Sequence, residues 1–547
     1  MLKELKNILD GDYCIGCGSC TLFNENLQIK LTSDGKYKLN VTNPIEKEVE
    51  NEILSVCPFS NASKNETEMG ELLFSKNNHY NELTGYYLNL YAGSVLKGDF
   101  RKNGSSGGMV SWIISKLLEE NEIDRVIHVK ESNDNGNVMF EYNISSTIDE
   151  IKRGAKSKYY PIEMSKVLSF VENNPGRYAI VGVPCFIKSL RNLSLKKTNI
   201  QKRLKYMIGL VCGHLKSTYY TEMIKLQTPI EELEKINFRY KLPNKNANDY
   251  AVKLEGKTNS ESIESVIPVN ELYGTNWGTG FFKYNACDFC DDVFGETADI
   301  VVGDAWLPEF INDDKGTNIV IVRNELINNM IKKGINDQSL DLKVMSPNEI
   351  IKSQTGGIRH KREGLSQRLY NKISNRQWVP KKRVEPKETS RAEVYNLREK
   401  INNECTPVLK DAIEKNDFSI FTETFKSLEY QLNLISSPVN QMFNASKVIE
   451  FVQDNQNIFI WGSGISGQVI LYNLHKAGLK VSGFIDSNAK LVGKKVNGLN
   501  VYSIEEALTM NNLKVLISPI DYYKQISMTL NENGYKEDID YIDPYFR

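Results

Sequence analysis

Three cysteines stand at Cys-x2-Cys-x2-Cys spacing in CIGCGSC, residues 14–20, and a fourth opens the run Cys57-Pro58-Phe59. This pattern constrains the chain more than any other. A short loop has to wind round one compact body so that Cys14, Cys17 and Cys20 converge on it, while Cys57 reaches it from elsewhere. That is the ligand grammar of a cubane 4Fe–4S cluster. Gly16 and Gly18 keep side chains away and let backbone N–H groups turn toward the sulfurs. Such hydrogen bonds disperse the negative charge of a cluster and raise its potential. Pro58 then turns the chain aside. No second copy of the motif follows, so the segment is expected to hold one cluster. A four-cysteine zinc site is the alternative, and the closely spaced triplet disfavours it.

The chain has nine cysteines, an odd number. It has no apolar run of 18 residues, and its start, MLKELKNILDGDYC, lacks an apolar signal stretch. The chain is therefore expected to stay in the cytosol without a membrane span, where thiols remain reduced and a disulfide framework is not expected. Cys185 in AIVGVPCF and Cys212 in MIGLVCGH each follow a strand-like run, and Cys287 and Cys290 form ACDFC. A lone Cys-x2-Cys reads as zinc, a redox dithiol or coincidence, and single cysteines after strands are commonly small buried hydrophobes. Two sets of four would leave Cys405, which continues a helical stripe of Val394, Leu397 and Ile401 and reads as core; Pro407 is expected to interrupt that helix.

Lys and Arg total 68 against 69 Asp and Glu, a formal net charge of −1. That balance lacks the basic excess a nucleic-acid binder needs to neutralise phosphates. Apolar residues make up 40% and aromatics 10%, enough for several cores. At roughly 100–200 residues per domain, the length implies about three domains.

The order of elements predicts a multidomain α/β chain. Residues 1–70 read as a small ferredoxin-like segment with one cluster, and 71–90 as a linker. Residues 91–375 read as an α/β domain in which NLYAGSVL, DRVIHV, GRYAIVGVP, RLKYMIGLVC and ADIVVGDAW are strands between helical stretches. Residues 376–445 read as a helical connector, and 446–547 as a Rossmann-like parallel α/β domain. The basic stretch 350–383 reads as a solvated face. The sharper readings are a docking surface for an acidic partner such as ferredoxin, or a clamp for cofactor phosphates.

Asn103-Gly104-Ser105-Ser106-Gly107-Gly108 precedes a helix that begins near Met109. Small residues at a helix start admit a flavin phosphate or pyrophosphate, and an ordinary turn has the same composition. Gly462-x-Gly464-x-x-Gly467 follows one strand and opens a helix, and Asp486 ends the next strand. This is the dinucleotide fingerprint in its required context. Gly462 serves the turn, Gly464 the approach of a pyrophosphate, Gly467 helix packing, and Asp486 the ribose hydroxyls. His214, two residues after Cys212, is a candidate proton donor.

Taken together, these residues resemble the β subunits of the deazaflavin (coenzyme F420)-reducing hydrogenases and dehydrogenases. Relatives of that family include plant 7-hydroxymethyl chlorophyll a reductase and formate dehydrogenase β subunits. The resemblance covers about residues 10–375. It rests on CIGCGSC…CP, SSGG at 105–108, SKYYP at 157–161, VGVPC at 181–185, LVCGH at 210–214, FRYK at 238–241 and ACDFC…ADIVVGDAW at 286–306. The resemblance implies FAD and a second 4Fe–4S cluster held by Cys185, Cys212, Cys287 and Cys290. It implies flavin-phosphate contacts at Ser105, Ser106, Gly107 and Gly108, and flavin neighbours at Ser157, Lys158 and Tyr159. Arg239 and Asp304 match family positions without an assigned role. The C-terminal unit departs from the hydrogenase subunits and looks like small Rossmann-type domains on sugar-modifying enzymes.

The expected function is a flavin- and iron–sulfur-dependent oxidoreductase. Electrons from a reduced carrier such as ferredoxin would pass through two clusters to FAD and on to an organic acceptor. A nucleotide-linked sugar of polysaccharide biosynthesis is the acceptor considered, with a nucleotide or nucleotide-sugar at the C-terminal domain. The alternatives are an electron-transfer subunit without its own substrate and a zinc-holding nucleotide sensor. Self-association is left open.

Overall fold

The computed structural model describes residues 2–76, 78–132, 138–452 and 457–546. The chain divides into two compact units, Met1–Thr422 and Glu423–Arg547. Among the described residues, no helix is long and apolar enough to cross a membrane.

The first unit is organised by an eight-stranded sheet. Its order is Leu340–Val344, Asn89–Val95, Asn318–Val322, Ile300–Asp304, Leu204–Leu210, Tyr178–Gly182, Arg125–Glu131 and Phe140–Ser145. The run from Ile300–Asp304 to Arg125–Glu131 is parallel, and the flanking strands are antiparallel. The strands expected from NLYAGSVL, DRVIHV, GRYAIVGVP, RLKYMIGLVC and ADIVVGDAW all lie in this sheet. They form strands because both faces are buried. Leu90, Ala92, Ile180, Ile319 and Ile321 pack into one core. Tyr91, Ala179, Val181, Val320 and Val322 pack into the other. Alternation of this kind places successive side chains on opposite faces of a covered sheet.

Four parallel strands have one consequence for function. Their carboxyl ends, near Glu131, Gly182, Leu210 and Asp304, emerge on the same side, where open α/β sheets gather ligands. A separate three-stranded antiparallel sheet, Glu232–Tyr240, Ala251–Thr258 and Glu261–Pro268, carries Arg239.

The N-terminal part holds helices Lys3–Asp10 and Lys47–Val56 around a hairpin that pairs Leu27–Leu31 with Tyr37–Val41. Helix Ala392–Glu414 packs within the first unit and runs through Pro407, so the expected interruption does not occur. Cys405 on this helix is fully buried and accepts the Phe282 N–H at 3.2 Å.

Within the basic stretch Lys352, Arg359, Arg376 and Lys381 are exposed as a solvated face requires, and other cations depart from that reading. Lys361 and Arg368 are each 2% exposed. Arg383 bonds to both Glu296 oxygens at 2.7 and 2.8 Å and to Asp291 at 3.1 Å. A run of cations enters the interior here because buried carboxylates wait for it. Unpaired charges in that position would be costly.

The second unit contains a sheet in the order Lys495–Val496, Leu499–Tyr502, Gly483–Ile485, Ile458–Trp461, Lys514–Ile517 and Tyr541–Ile542. All but the first strand are mutually parallel. In chain order, the five parallel strands read 3-2-1-4-5, the order of a Rossmann-type sheet. Ile458 and Ile460 face one core, and Phe459 and Trp461 the other.

Candidate functional site

The CIGCGSC loop is shaped by the close approach of its own neighbours. Gly16 has φ of +64°, and a Cβ there would lie 2.3 Å from the Tyr37 carbonyl oxygen. The Gly16 and Leu39 N–H groups each donate to the Cys14 sulfur at 3.4 Å. Cys57 follows helix Lys47–Val56 directly, and buried Lys188 donates to the Pro58 carbonyl at 3.2 Å. These contacts bring the four cysteines together. Burial pushes the Cys20 thiol well up, and the charges of Cys17, Cys14 and Cys57 push it further. Cys57 is pushed up to about 12, chiefly by burial.

The remaining cysteines also meet. Cys185, at the start of helix Pro184–Ser194, Cys212, after strand Leu204–Leu210, and Cys287 and Cys290, around a short 3-10 turn, line one small enclosed cavity. Burial and the charges of Cys290, Cys212 and Cys287 raise the Cys185 thiol well above its ordinary range. Lys361 lies in the same wall, with Nζ 3.5 Å from the Cys290 sulfur. The Leu215 N–H donates to the Cys287 sulfur at 3.2 Å. Ile15 and Phe59, from the two segments of the first cysteine set, complete part of this wall. Among the described residues, no three His, Cys, Asp or Glu side chains converge as they would on a single metal ion.

Beside this cavity, a second one of about 300 Å³ opens at the carboxyl ends of the parallel strands. Ser105, Ser106 and Gly108 line it, as do Ser157, Lys158, Tyr159 and His214. The Ser157 N–H donates to Ser105 Oγ at 2.7 Å, which ties the two loops together. Helix Met109–Glu119 points its first turn at this space, and Val110 and Ser111 lie on the wall. First-turn N–H groups have no acceptor within their own helix and attract anions. Gly107 is not on the wall; a Cβ there would meet the Gly93 carbonyl oxygen at 2.7 Å and Asn318 Oδ1 at 2.8 Å. Lys158 Nζ donates to the carbonyls of Gly154 and Lys156 at 2.9 Å and also to that of Ala155. Burial pulls this ammonium down to about 7. The three carbonyls engage all three of its protons when it is charged.

A third, wider cavity of about 1200 Å³ shares Tyr159, Cys212, Gly213, His214, Trp277 and Asp304 with the second. The His214 ring lies against the Trp277 indole, with centroids 4.3 Å apart. Its buried Nε2 has no hydrogen-bond partner. Burial, reinforced by Lys216 and Lys283, holds His214 well below its ordinary value. The ring is therefore neutral here and presents one N–H donor and one bare nitrogen. A ring of such lowered proton affinity is a weak base, and in its neutral form it offers a hydrogen bond through its one N–H. Arg239 and Asp304 form a buried pair at 2.9 Å, and the guanidinium lies 4.3 Å from the Tyr250 ring centroid. The sequence reading did not identify Trp277, Lys361 or this pairing as parts of a site, since none carries a local motif.

In the second unit, a Cβ on Gly467 would fall 1.9 Å from the Gly462 carbonyl oxygen, whereas one on Gly464 would meet nothing within 4 Å. Asp486 is engaged by the chain itself. It accepts the Ser463 N–H at 2.9 Å, the Ser463 hydroxyl at 2.6 Å and the Asn488 N–H at 2.9 Å. The carboxylate expected to meet a ribose thus holds the glycine loop in place.

A mixed sheet whose parallel strands end at a cavity beside the cysteines makes this region an α/β domain with its candidate site at the strands' carboxyl ends. Residues 90–169 match the model of the coenzyme F420 hydrogenase/dehydrogenase beta subunit N-terminus, and residues 176–348 match that of its C-terminus. These two stretches of the chain match that family's models, and the match supports a redox, electron-transfer role for this region. Residues 454–539 match the C2185-like N-terminal model. An uncharacterized protein of Methanocaldococcus jannaschii is 26% identical over 278 residues, which is 48% of this chain and 92% of that protein. The coenzyme F420-dependent sulfite reductase of the same organism is 25% identical over 364 residues, 62% of this chain and 49% of the reductase. The chain thus spans about half the length of that reductase. A chain of the F420-reducing NiFe hydrogenase complex from Methanosarcina barkeri aligns at 15% identity with a TM-score of 0.42, covering 55% of this chain and 98% of that one.

Proposed function

We propose that the chain is a flavin- and iron–sulfur-dependent oxidoreductase that takes electrons from a reduced carrier such as ferredoxin and delivers them to an organic acceptor. The observation that carries this reading is the turn Cys212-Gly213-His214, which lines all three cavities. One short segment thereby joins a four-thiol enclosure, the Ser105/Ser157 cavity and the wider space.

The donor sets suit cubane clusters. Each set offers four thiols, and Cys185, Cys212, Cys287 and Cys290 ring a cavity. Zinc would draw four sulfurs onto one point at about 2.3 Å each. Thiols pushed this far up by burial become thiolates only beside a cation, and Lys361 supplies part of that charge. Cys14, Cys17, Cys20 and Cys57 would hold one cluster, and the ringed set the other.

The second cavity suits the phosphate end of FAD through Ser105, Ser106 and the open first turn at Val110 and Ser111. Lys156 and Lys158 also line this wall, the ammonium of Lys158 being held by backbone carbonyls. When bound, a flavin between iron–sulfur clusters and an organic molecule supplies conversion between one-electron and two-electron transfer. The chain's own residues bind and exclude. Tyr159 and Trp277 wall the shared space, Ser157 and Ser105 fix the loop beside it, and neutral His214, its Nε2 without a partner in the chain, can hydrogen-bond a ligand at the boundary of the two cavities.

A nucleotide-linked sugar, received in the wide cavity, is the acceptor class this reading favours. The test is anaerobic. Reduced ferredoxin should bleach the flavin absorbance of the intact chain, and a small-molecule acceptor should restore it. Bleaching that also occurs in a Cys185→Ser variant at an unchanged rate contradicts the route. The half-length match to the sulfite reductase favours a second reading, in which this segment relays electrons to a catalytic partner. In that case the flavin is reoxidised only when the partner protein is present.

A further inference from the structure

We propose that the wide cavity contains an oxyanion subsite, in which Arg391 and Arg398 grip a phosphate or carboxylate group of the organic acceptor. The proposal rests on the reading that this cavity receives the acceptor.

Helix Ala392–Glu414 and its N-cap supply both residues. Seven positions separate them, two helical turns, so they project from one face. Both line the cavity of about 1200 Å³. Arg391 is only 8% exposed. The Nε atoms of both arginines are buried without a hydrogen-bond partner. Among the described residues, neither guanidinium forms an ion pair. The nearby acid, Asp288, is already engaged by Lys283 at 2.7 Å and faces Arg368 Nε at 3.5 Å. Burial lowers Arg398, and Arg391 and Arg368 lower it further, against the opposing pull of Tyr395 and Asp288.

Several other buried cations of this unit have carboxylate partners. Lys188 meets Glu66, Arg239 meets Asp304, and Arg383 meets Glu296 and Asp291. An unpaired pair of guanidinium groups in a cavity is electrostatically incomplete, and an oxyanion completes it. The planar fork of arginine matches phosphate and carboxylate geometry. Trp277, Trp306 and Tyr250 line the same cavity and offer faces for the organic body of such a ligand. Arg391 and Arg398 lie beyond residue 348, where the family-model match ends.

The experiment uses the full chain purified anaerobically, with inorganic pyrophosphate and citrate as probes of the two oxyanion sources. Binding is followed by calorimetry at low ionic strength and by thermal unfolding. At least one probe should bind saturably and raise the melting temperature. Arg391→Met and Arg398→Met should each weaken binding by about tenfold or more, the scale of one lost charge-assisted hydrogen bond. Each variant should also be more stable than wild type without ligand, because an unpaired buried cation has been removed. A purely structural arginine would give the opposite sign. Iron and flavin are measured on the same samples. Protein that holds both but binds neither probe, or a double variant that binds as wild type does, overturns the subsite alone. Protein that holds neither cofactor overturns the redox reading instead, and the binding data still decide the subsite.

Discussion

Lys361 Nζ lies 3.5 Å from the Cys290 sulfur and is fixed there by a 2.6 Å hydrogen bond to the Asp292 carbonyl. The side chain is almost wholly buried, and neighbouring Cys290, Cys212 and Asp292 raise its proton affinity. A fixed positive charge beside a thiolate set favours the more negative, reduced state of whatever those thiolates hold. Lys361→Met should therefore lower the midpoint potential of the inner cluster, by on the order of 50–100 mV at an effective dielectric near 20. Redox titration by absorbance or paramagnetic resonance checks this. An unchanged potential contradicts the placement.

Gly16→Ala puts a methyl group against the Tyr37 carbonyl and forces a left-handed backbone on alanine. The local cost is about 1–3 kcal/mol. The effect should be confined to the first cysteine set, so iron content should fall from about eight atoms to about four per chain. Quantitative iron and sulfide assays read the result, and loss of all iron would contradict separate sites.

His128 gives the pH dependence. Its Nε2 lies 2.8 Å from Ser145 Oγ, and burial, with help from Lys130 and Lys158, lowers it to about 3. The unfolded chain takes up this proton near pH 6.5 and the folded chain does not, so the unfolded state binds more protons between those values. The stabilisation is present above pH 6.5 and is lost as pH falls toward 3, at no more than about 1.4 kcal/mol per pH unit. Urea unfolding at pH 6.5, 5.5 and 4.5 should show a shallower slope for His128→Gln than for wild type.

Much of the first unit was legible because its strands carry apolar residues on both faces, as in Tyr178–Gly182, which is buried throughout. The cysteine loop was legible because its spacing is local. What escaped was long-range pairing. Lys361 meets Cys290 across 71 residues, and Arg239 meets Asp304 across 65. Neither pairing leaves a periodic trace. The same reason misled part of the reading of 350–383. A run of cations is solvated or buried according to where its carboxylates stand, and Asp291 and Glu296 are distant in sequence from Arg383. Asp486 stands where the sequence places it, and its bonds to Ser463 through Oδ2 and to Asn488 through Oδ1 left no trace in the spacing of the glycines.

The second unit separates packing from ligand approach. Gly467→Ala would drive a Cβ to 1.9 Å from the Gly462 carbonyl, whereas Gly464→Ala enters open space. Gly467→Ala should destabilise the Glu423–Arg547 unit by about 1–3 kcal/mol. Gly464→Ala should leave its unfolding within about 0.5 kcal/mol of wild type and weaken nucleotide binding. Calorimetric unfolding and titration with a nucleotide-linked sugar distinguish the two. Equal destabilisation by both would contradict an open approach at Gly464.

The central claim is that two thiolate quartets sit beside a flavin cavity joined by Cys212-Gly213-His214. The most direct measurement is the iron, acid-labile sulfide and flavin content of chain purified without oxygen. About eight irons, eight sulfides and one flavin per chain are expected from two cubane clusters and one FAD. A colourless protein with fewer than about four irons per chain would contradict the account.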